Sequence, residues 1–180
     1  MKYLIIFLAF VQYSFAQEYT ESRELIRTLL NDDSYGNGEL KMVSDLNREW
    51  LKRKIASLKR NKTFRNPQFN YEIEITRCER KEIVRALKTP YNLEEFNTYF
   101  KEYQLIPFEE TFSFLKQRHT PENSNRVMMF SEPVFIRNGE YSIIYFMHLC
   151  CGGGGQDSIW FYKKVDGKWV KWIPIYQGSF

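Results

Sequence analysis

The stretch Tyr141 to Leu149 is apolar on both faces of an extended chain, with Tyr141, Ile143, Tyr145, Met147 and Leu149 on one side and Ile144 and Phe146 on the other. Successive side chains of a strand point to opposite faces, so a strand of this composition has to be covered from both sides. The stretch predicts a central, doubly buried strand, and the rest of the chain must be arranged around it. Its neighbours supply the sheet. Asn138-Gly139, just upstream, is a strong hairpin signal because both turn positions take positive φ. Asp166-Gly167 repeats the signal further on. Short strands are expected at 127–130 and 134–137, interrupted by Ser131-Glu132-Pro133, and again at 158–165 and 169–176. Together they make an antiparallel meander of about four or five strands.

Upstream, the apolar spacing changes to that of helices. Leu25, Ile26, Leu29 and Leu30 mark a helix over 21–30, and Leu46, Trp50, Leu51, Ile55 and Leu58 mark another over 45–60. Residues 31–38 form a loop by composition, and 61–70, with Pro67 inside, break the pattern. Residues 71–75 alternate as one short strand. Thr76-Arg77-Cys78-Glu79 fits a capping box, in which the Thr hydroxyl takes an orphan backbone N–H and the Glu reaches back. The helix it opens should stop at Thr89-Pro90. Two more helices are expected. One follows Asn92 and carries Leu93, Phe96, Phe100 and Tyr103; the other opens at Pro107 and carries Phe108, Phe112 and Leu115. The fold class is therefore α+β, with N-terminal helices packed on a C-terminal antiparallel β-meander. A helical region over 17–70 joins an α+β domain over 71–180 in one globular unit.

The first residues have the layout of a cleavable signal peptide over 1–16. Lys2 precedes an apolar run from Leu4 to Val11, and Ser14 and Ala16 are the small residues before a cut at Gln17. The run is far shorter than the about 20 residues a membrane-spanning helix needs. The residue immediately after the cut is Gln17 and not a cysteine, so the expectation is an exported protein, periplasmic or secreted, that is not a lipoprotein. With 43% hydrophobic and 17% aromatic residues, the chain can build a core without covalent staples. A net charge of +4 is too small to identify a partner, and no nucleic acid is expected for an exported chain.

An oxidising compartment directs attention to Cys78, Cys150 and Cys151. An odd count leaves one thiol over. One of the adjacent pair could meet Cys78 across a helix–sheet contact, or all three could be packed thiols that behave as small hydrophobes.

The most distinctive segment is His148-Leu149-Cys150-Cys151-Gly152-Gly153-Gly154-Gly155-Gln156-Asp157. Gly152, Gly153, Gly154 and Gly155 could expose backbone N–H groups as an anion-holding nest. Cys78, His148, Cys150 and Cys151 are the side chains that could ligate zinc, and Cys151 with His148 could form an activated nucleophile. Against these stands a wide glycine turn between two strands. The run lacks the Lys-Ser/Thr ending of a phosphate loop, no C-x-x-C pair is present, and no third group orients the imidazole. No cofactor is implied. A second candidate is the basic stretch Arg48, Lys52, Arg53, Lys54, Lys59, Arg60, Lys62 and Arg65, which suits an anionic membrane face or glycan, or is simply a solvated helix face. A third is the aromatic content of the last strands, where Trp160 and Trp172 could hold sugar rings or peptide, unless these rings form the core under the helices. His119 and the Glu94-Glu95 and Glu109-Glu110 pairs are expected at solvent faces, and Asn61-Lys62-Thr63 would be a glycosylation acceptor only in a eukaryotic host.

Several of these features recur together. Thr76-Arg77-Cys78-Glu79, Ser131-Glu132-Pro133-Val134-Phe135, Cys151-Gly152, Tyr162-Lys163-Lys164 and Gly167-Lys168-Trp169 resemble the pattern of a group of uncharacterised exported proteins common in Bacteroidetes-type bacteria. The group's loop often carries a second cysteine–glycine, where this chain has glycine around Gly155. The resemblance implies envelope localisation and a single fold; the group has no assigned activity. The function expected is a non-catalytic binding or interaction module for an envelope component or protein partner. The alternatives are a hydrolase or thiol-dependent enzyme centred on 148–157, and an immunity or inhibitor protein.

Overall fold

The computed structural model describes residues 20–31, 39–46, 48–91, 98, 100–117, 124–150 and 153–179. Residues 20–30 form helix α1. There follow β1 (Leu40–Val43), α2 (Arg48–Lys54), α3 (Ala56–Arg60), β2 (Thr63–Asn66), β3 (Tyr71–Glu74), α4 (Arg77–Ala86) and β4 (Gln104–Ile106). A 3-10 turn (Phe108–Glu110) then leads to α5 (Thr111–Gln117), β5 (Arg126–Phe130), β6 (Val134–Ile136), β7 (Tyr141–Cys150), β8 (Gly154–Val165) and β9 (Lys168–Ser179). The large sheet has seven strands in the order β4-β1-β5-β7-β8-β9, with β6 also on β7; β2 and β3 form a separate hairpin.

The doubly apolar stretch is the spine of this sheet. Every residue of β7 except Cys150 is buried. Its side chains alternate between two apolar layers. Ile143, Tyr145, Met147 and Leu149 join Leu51, Ile55, Leu58, Ile83 and Leu115 on the α2–α5 face. Ile144 and Phe146 join Leu25, Ile26 and Leu29 of α1 on the other. Burying apolar area on both faces is what stabilises a strand of this composition at the centre. No helix among the described residues is long and apolar enough to cross a membrane.

The α+β class and the mostly antiparallel sheet agree with the sequence reading, whereas the layout differs from it. The sheet has more strands than the four or five expected, and helices alternate with strands instead of preceding them. The additional strands β1 and β4 are short, and β1 runs parallel to both β4 and β5. Parallel neighbours are joined by crossovers and not by tight turns, so neither strand announces itself through a turn residue. Gln104–Ile106 lies between the helical stripe that ends at Tyr103 and the helix expected to open at Pro107, and no strand was expected there. Thr63–Asn66, expected to be irregular, pairs with Tyr71–Glu74 across a turn in which Asn70 takes φ 54°. The helix over 45–60 divides into α2 and α3 at Ile55, where ψ rises to 1° while the Ile55 N–H still donates to Leu51. The expected Asn138-Gly139 two-residue turn is a longer loop. Ile136 pairs with Tyr141, and Arg137, Asn138 and Gly139 all take positive φ. Asp166-Gly167 does close a two-residue turn between Val165 and Lys168. The signal peptide and the helix expected after Asn92 lie outside the described residues, apart from Thr98 and the residues from Phe100 onward.

Candidate functional site

The 148–157 segment is a hairpin end. Cys150 pairs with Gly154 and Leu149 with Gly155, so β8 begins inside the glycine run instead of at Ser158. A Cβ on Gly155 would lie 2.2 Å from the His148 carbonyl oxygen and 2.9 Å from the Leu149 Cα; only glycine lets the strands approach this closely. Gly153 takes φ 115° and its N–H donates to the Cys150 carbonyl. The glycines of the described loop thus close a tight hairpin and replace the wide turn expected. His148 is only 3% exposed and pairs with Met128 on one side and Gln156 on the other. Cys151 and Gly152, and with them the proposed His148–Cys151 pair, lie outside the described residues.

Cys78 and Cys150 are not bridged to each other, so that form of the alternative helix–sheet bridge is not made, and Cys78 is exposed, so it is not the packed thiol expected either. The reason lies in α4: Ile83 is its buried side, and Cys78, five positions earlier, faces solvent. Among the described residues no three His, Cys, Asp or Glu side chains converge to hold a metal ion.

Trp160 is half-buried and packs against the α1-side layer. Trp172 belongs to a chain of rings. Phe69 stacks on Tyr71 with centroids 5.7 Å apart, Tyr71 lies 5.8 Å from Trp172, and Trp172 lies 4.9 Å from Tyr141. The hairpin β2–β3 positions this chain. The Asn66 side chain ties it to β9 by donating to the Trp172 carbonyl at 2.8 Å. Exposure rises along the chain from buried Tyr141 to Tyr71 at 44% and Phe69 at 62%. Two cations line its inner end: Lys163 sits 5.4 Å from the Trp172 ring, and Arg137 sits 5.7 Å from Tyr141. Large exposed apolar residues clustered in this way are unusual on a solvated surface. The sequence had indicated Trp172 but not its partners, because Phe69 sits in the segment that breaks the pattern and Tyr71 opens a short strand to which no neighbour could be assigned.

A second cluster was missed. Asp157 is 1% exposed. Its Oδ2 is in contact with the Lys54 ammonium and accepts a 3.1 Å hydrogen bond from Tyr145. The Lys54 Nζ lies 5.2 Å from the Tyr176 ring. Burial pushes the Lys54 ammonium down to about 8 and raises the Tyr145 phenol, with Tyr176 adding to the effect. Alternation could have revealed this cluster. Asp157 shares a face with the buried Ile159 and Phe161, so it had to point inward and needed a cation.

The basic stretch is therefore not a uniform solvated face. Lys54 turns inward, Arg65 pairs with Glu72, and Lys59 and Lys62 reach toward α4. The Arg48 side chain and His119 lie outside the described residues. Comparison with protein-family models, with curated proteins and with solved structures found no match to this chain.

Proposed function

We propose that the protein is a non-catalytic binding module that works outside the cytosol and holds saccharide rings of an envelope glycan against the Phe69–Tyr71–Trp172 face. The observation that carries this reading is the ring chain itself, open at Phe69 and Tyr71 and anchored at Trp172 and Tyr141. Aromatic faces give apolar contact area at little conformational cost, and the flanking ammonium and guanidinium groups offer hydrogen-bond donors to hydroxyl or acidic substituents. Export is supported by the leader-like residues 1–16 and by the resemblance of the quoted motifs to those of an exported protein group. The burial of His148 and the structural use of Gly153 and Gly155 favour binding over a reaction centred on 148–157.

Calorimetric titration with soluble oligosaccharides, including peptidoglycan fragments, tests the reading. Saturable binding is expected, weakened about tenfold or more in Tyr71→Ala, on the scale of 1–3 kcal/mol lost when a stacking ring is removed. The melting temperature should hardly change, because Tyr71 is exposed. No heat with any saccharide, or undiminished binding by Tyr71→Ala, would contradict it.

A further inference from the structure

Two adjoining hollows lie where the C-terminal end of α3, the open end of the β2–β3 hairpin and the first turns of α4 meet. Their volumes are about 300 and 370 Å³, and both are lined by Arg77 and Arg80. Lys59 and Lys81 complete the first and Lys62 the second. Among the described residues, none of these five cations lies within salt-bridge distance of a carboxylate. Glu74 is the one acid in the lining. Glu79, nearby on α4, is engaged elsewhere: it accepts from the Thr76 backbone N–H at 2.7 Å and from Arg137 at 3.1 Å. The Arg80 guanidinium is half-buried, its Nε has no hydrogen-bond partner among the described residues, and its Nη1 makes only a 3.5 Å contact to the Lys59 carbonyl.

Five like charges gathered around a single acid repel one another, and a desolvated guanidinium N–H without an acceptor adds to that cost. An oxyanion relieves both. Arginine forks suit phosphoryl-type oxyanions, and lysines add point charge. We infer that this groove binds a soluble, extended polyanion bearing neighbouring phosphoryl-type groups, one in each hollow, with Arg77 and Arg80 between them. The concave shape and the apolar contributions of Val84 and Ile75 suit a strand lying in a groove better than the flat plane of lipid headgroups. The inference does not rest on the aromatic face, so Tyr71→Ala should leave it intact.

The probe is tripolyphosphate, followed by long-chain polyphosphate, titrated calorimetrically at low and at high salt. Saturable binding that weakens with salt is expected. Arg77→Gln and Arg80→Gln should each lower affinity about tenfold, while Lys168→Gln, at the start of β9, should not change it. Arg77 is exposed, so its variant separates lost binding from lost folding. Any of the following would overturn the inference: no saturable binding at low salt; equal weakening by Lys168→Gln; or binding to phosphatidylglycerol vesicles or a single-stranded oligonucleotide that matches or exceeds binding to polyphosphate.

Discussion

At the residue scale the decisive positions are a buried charge and two glycines. Asp157 is wholly inside, while the Lys54 side chain keeps some access to solvent. Removing the lysine leaves a carboxylate with no counter-charge. Lys54→Met should therefore cost about 3–5 kcal/mol in urea unfolding, as breaking buried ion pairs does. Asp157→Asn should cost less, because a lysine already pushed down to about 8 can shed its proton. The pH dependence follows in sign. An unfolded lysine titrates at about 10.4, so above about 8 the unfolded chain holds the extra proton. Stability from this group therefore rises with pH across that window. Tyr145 acts in the opposite sense: burial raises its phenol, so the folded chain keeps a proton that the unfolded chain loses above about 10. Subtracting the Lys54→Met profile from the wild-type profile should give a difference that climbs between about 8 and 10; a flat difference would contradict the assignment. Gly178 completes the cluster. A Cβ there would lie 2.2 Å from the Tyr176 hydroxyl oxygen and 2.6 Å from the Asp157 Oδ1. Gly178→Ala should lose about 1–3 kcal/mol through overpacking. Gly155→Ala should lose more, since the atom it meets first is backbone. Chemical denaturation of the two variants side by side checks the order.

At the element scale, what could be read in advance was whatever has a local chemical signature. The Thr76–Glu79 capping box is present in full, with the Glu79 N–H donating to the Thr76 hydroxyl at 3.2 Å and the Thr76 N–H donating to Glu79. Burial alone would raise the Glu79 carboxyl, but Thr76 and Arg137 hold it below its usual value. Its contribution is thus present at neutral pH and fades as acid protonates it. Thr76→Ala should cost about 1 kcal/mol, measured as a shift in the denaturation midpoint. The Ser131-Glu132-Pro133 interruption was also legible, but not its repair. The Ser131 N–H donates to the Tyr145 carbonyl, and its hydroxyl accepts the Tyr145 N–H, each at 3.0 Å. One side chain therefore carries the ladder across the gap between β5 and β6. Ser131→Ala leaves a buried N–H without a partner and should cost about 1–3 kcal/mol, with faster amide exchange at Tyr145. Undisturbed exchange there would refute this role.

For the whole molecule, β7 determined the architecture because its composition demands cover on both faces, and α1 and α2–α5 supply it. What stayed hidden was everything set by distance along the chain. The edge strand β4 and its neighbour β1 are defined by parallel partners and not by their own residues. The ring chain joins Phe69 and Tyr71 to Tyr141 and Trp172 across a hairpin that sequence spacing does not reveal. The candidate contacts at 148–157 were visible as residue types, yet the close approach of strands at Gly155 and the burial of His148 make them part of the scaffold. Nuclear magnetic resonance mapping of an oligosaccharide titration tests the binding reading most directly. The expected result is saturable movement of the Trp172 indole and the Phe69 and Tyr71 ring signals, with His148 and Cys150 unmoved. Shifts centred on His148 and Cys150, with the ring chain silent, would contradict it.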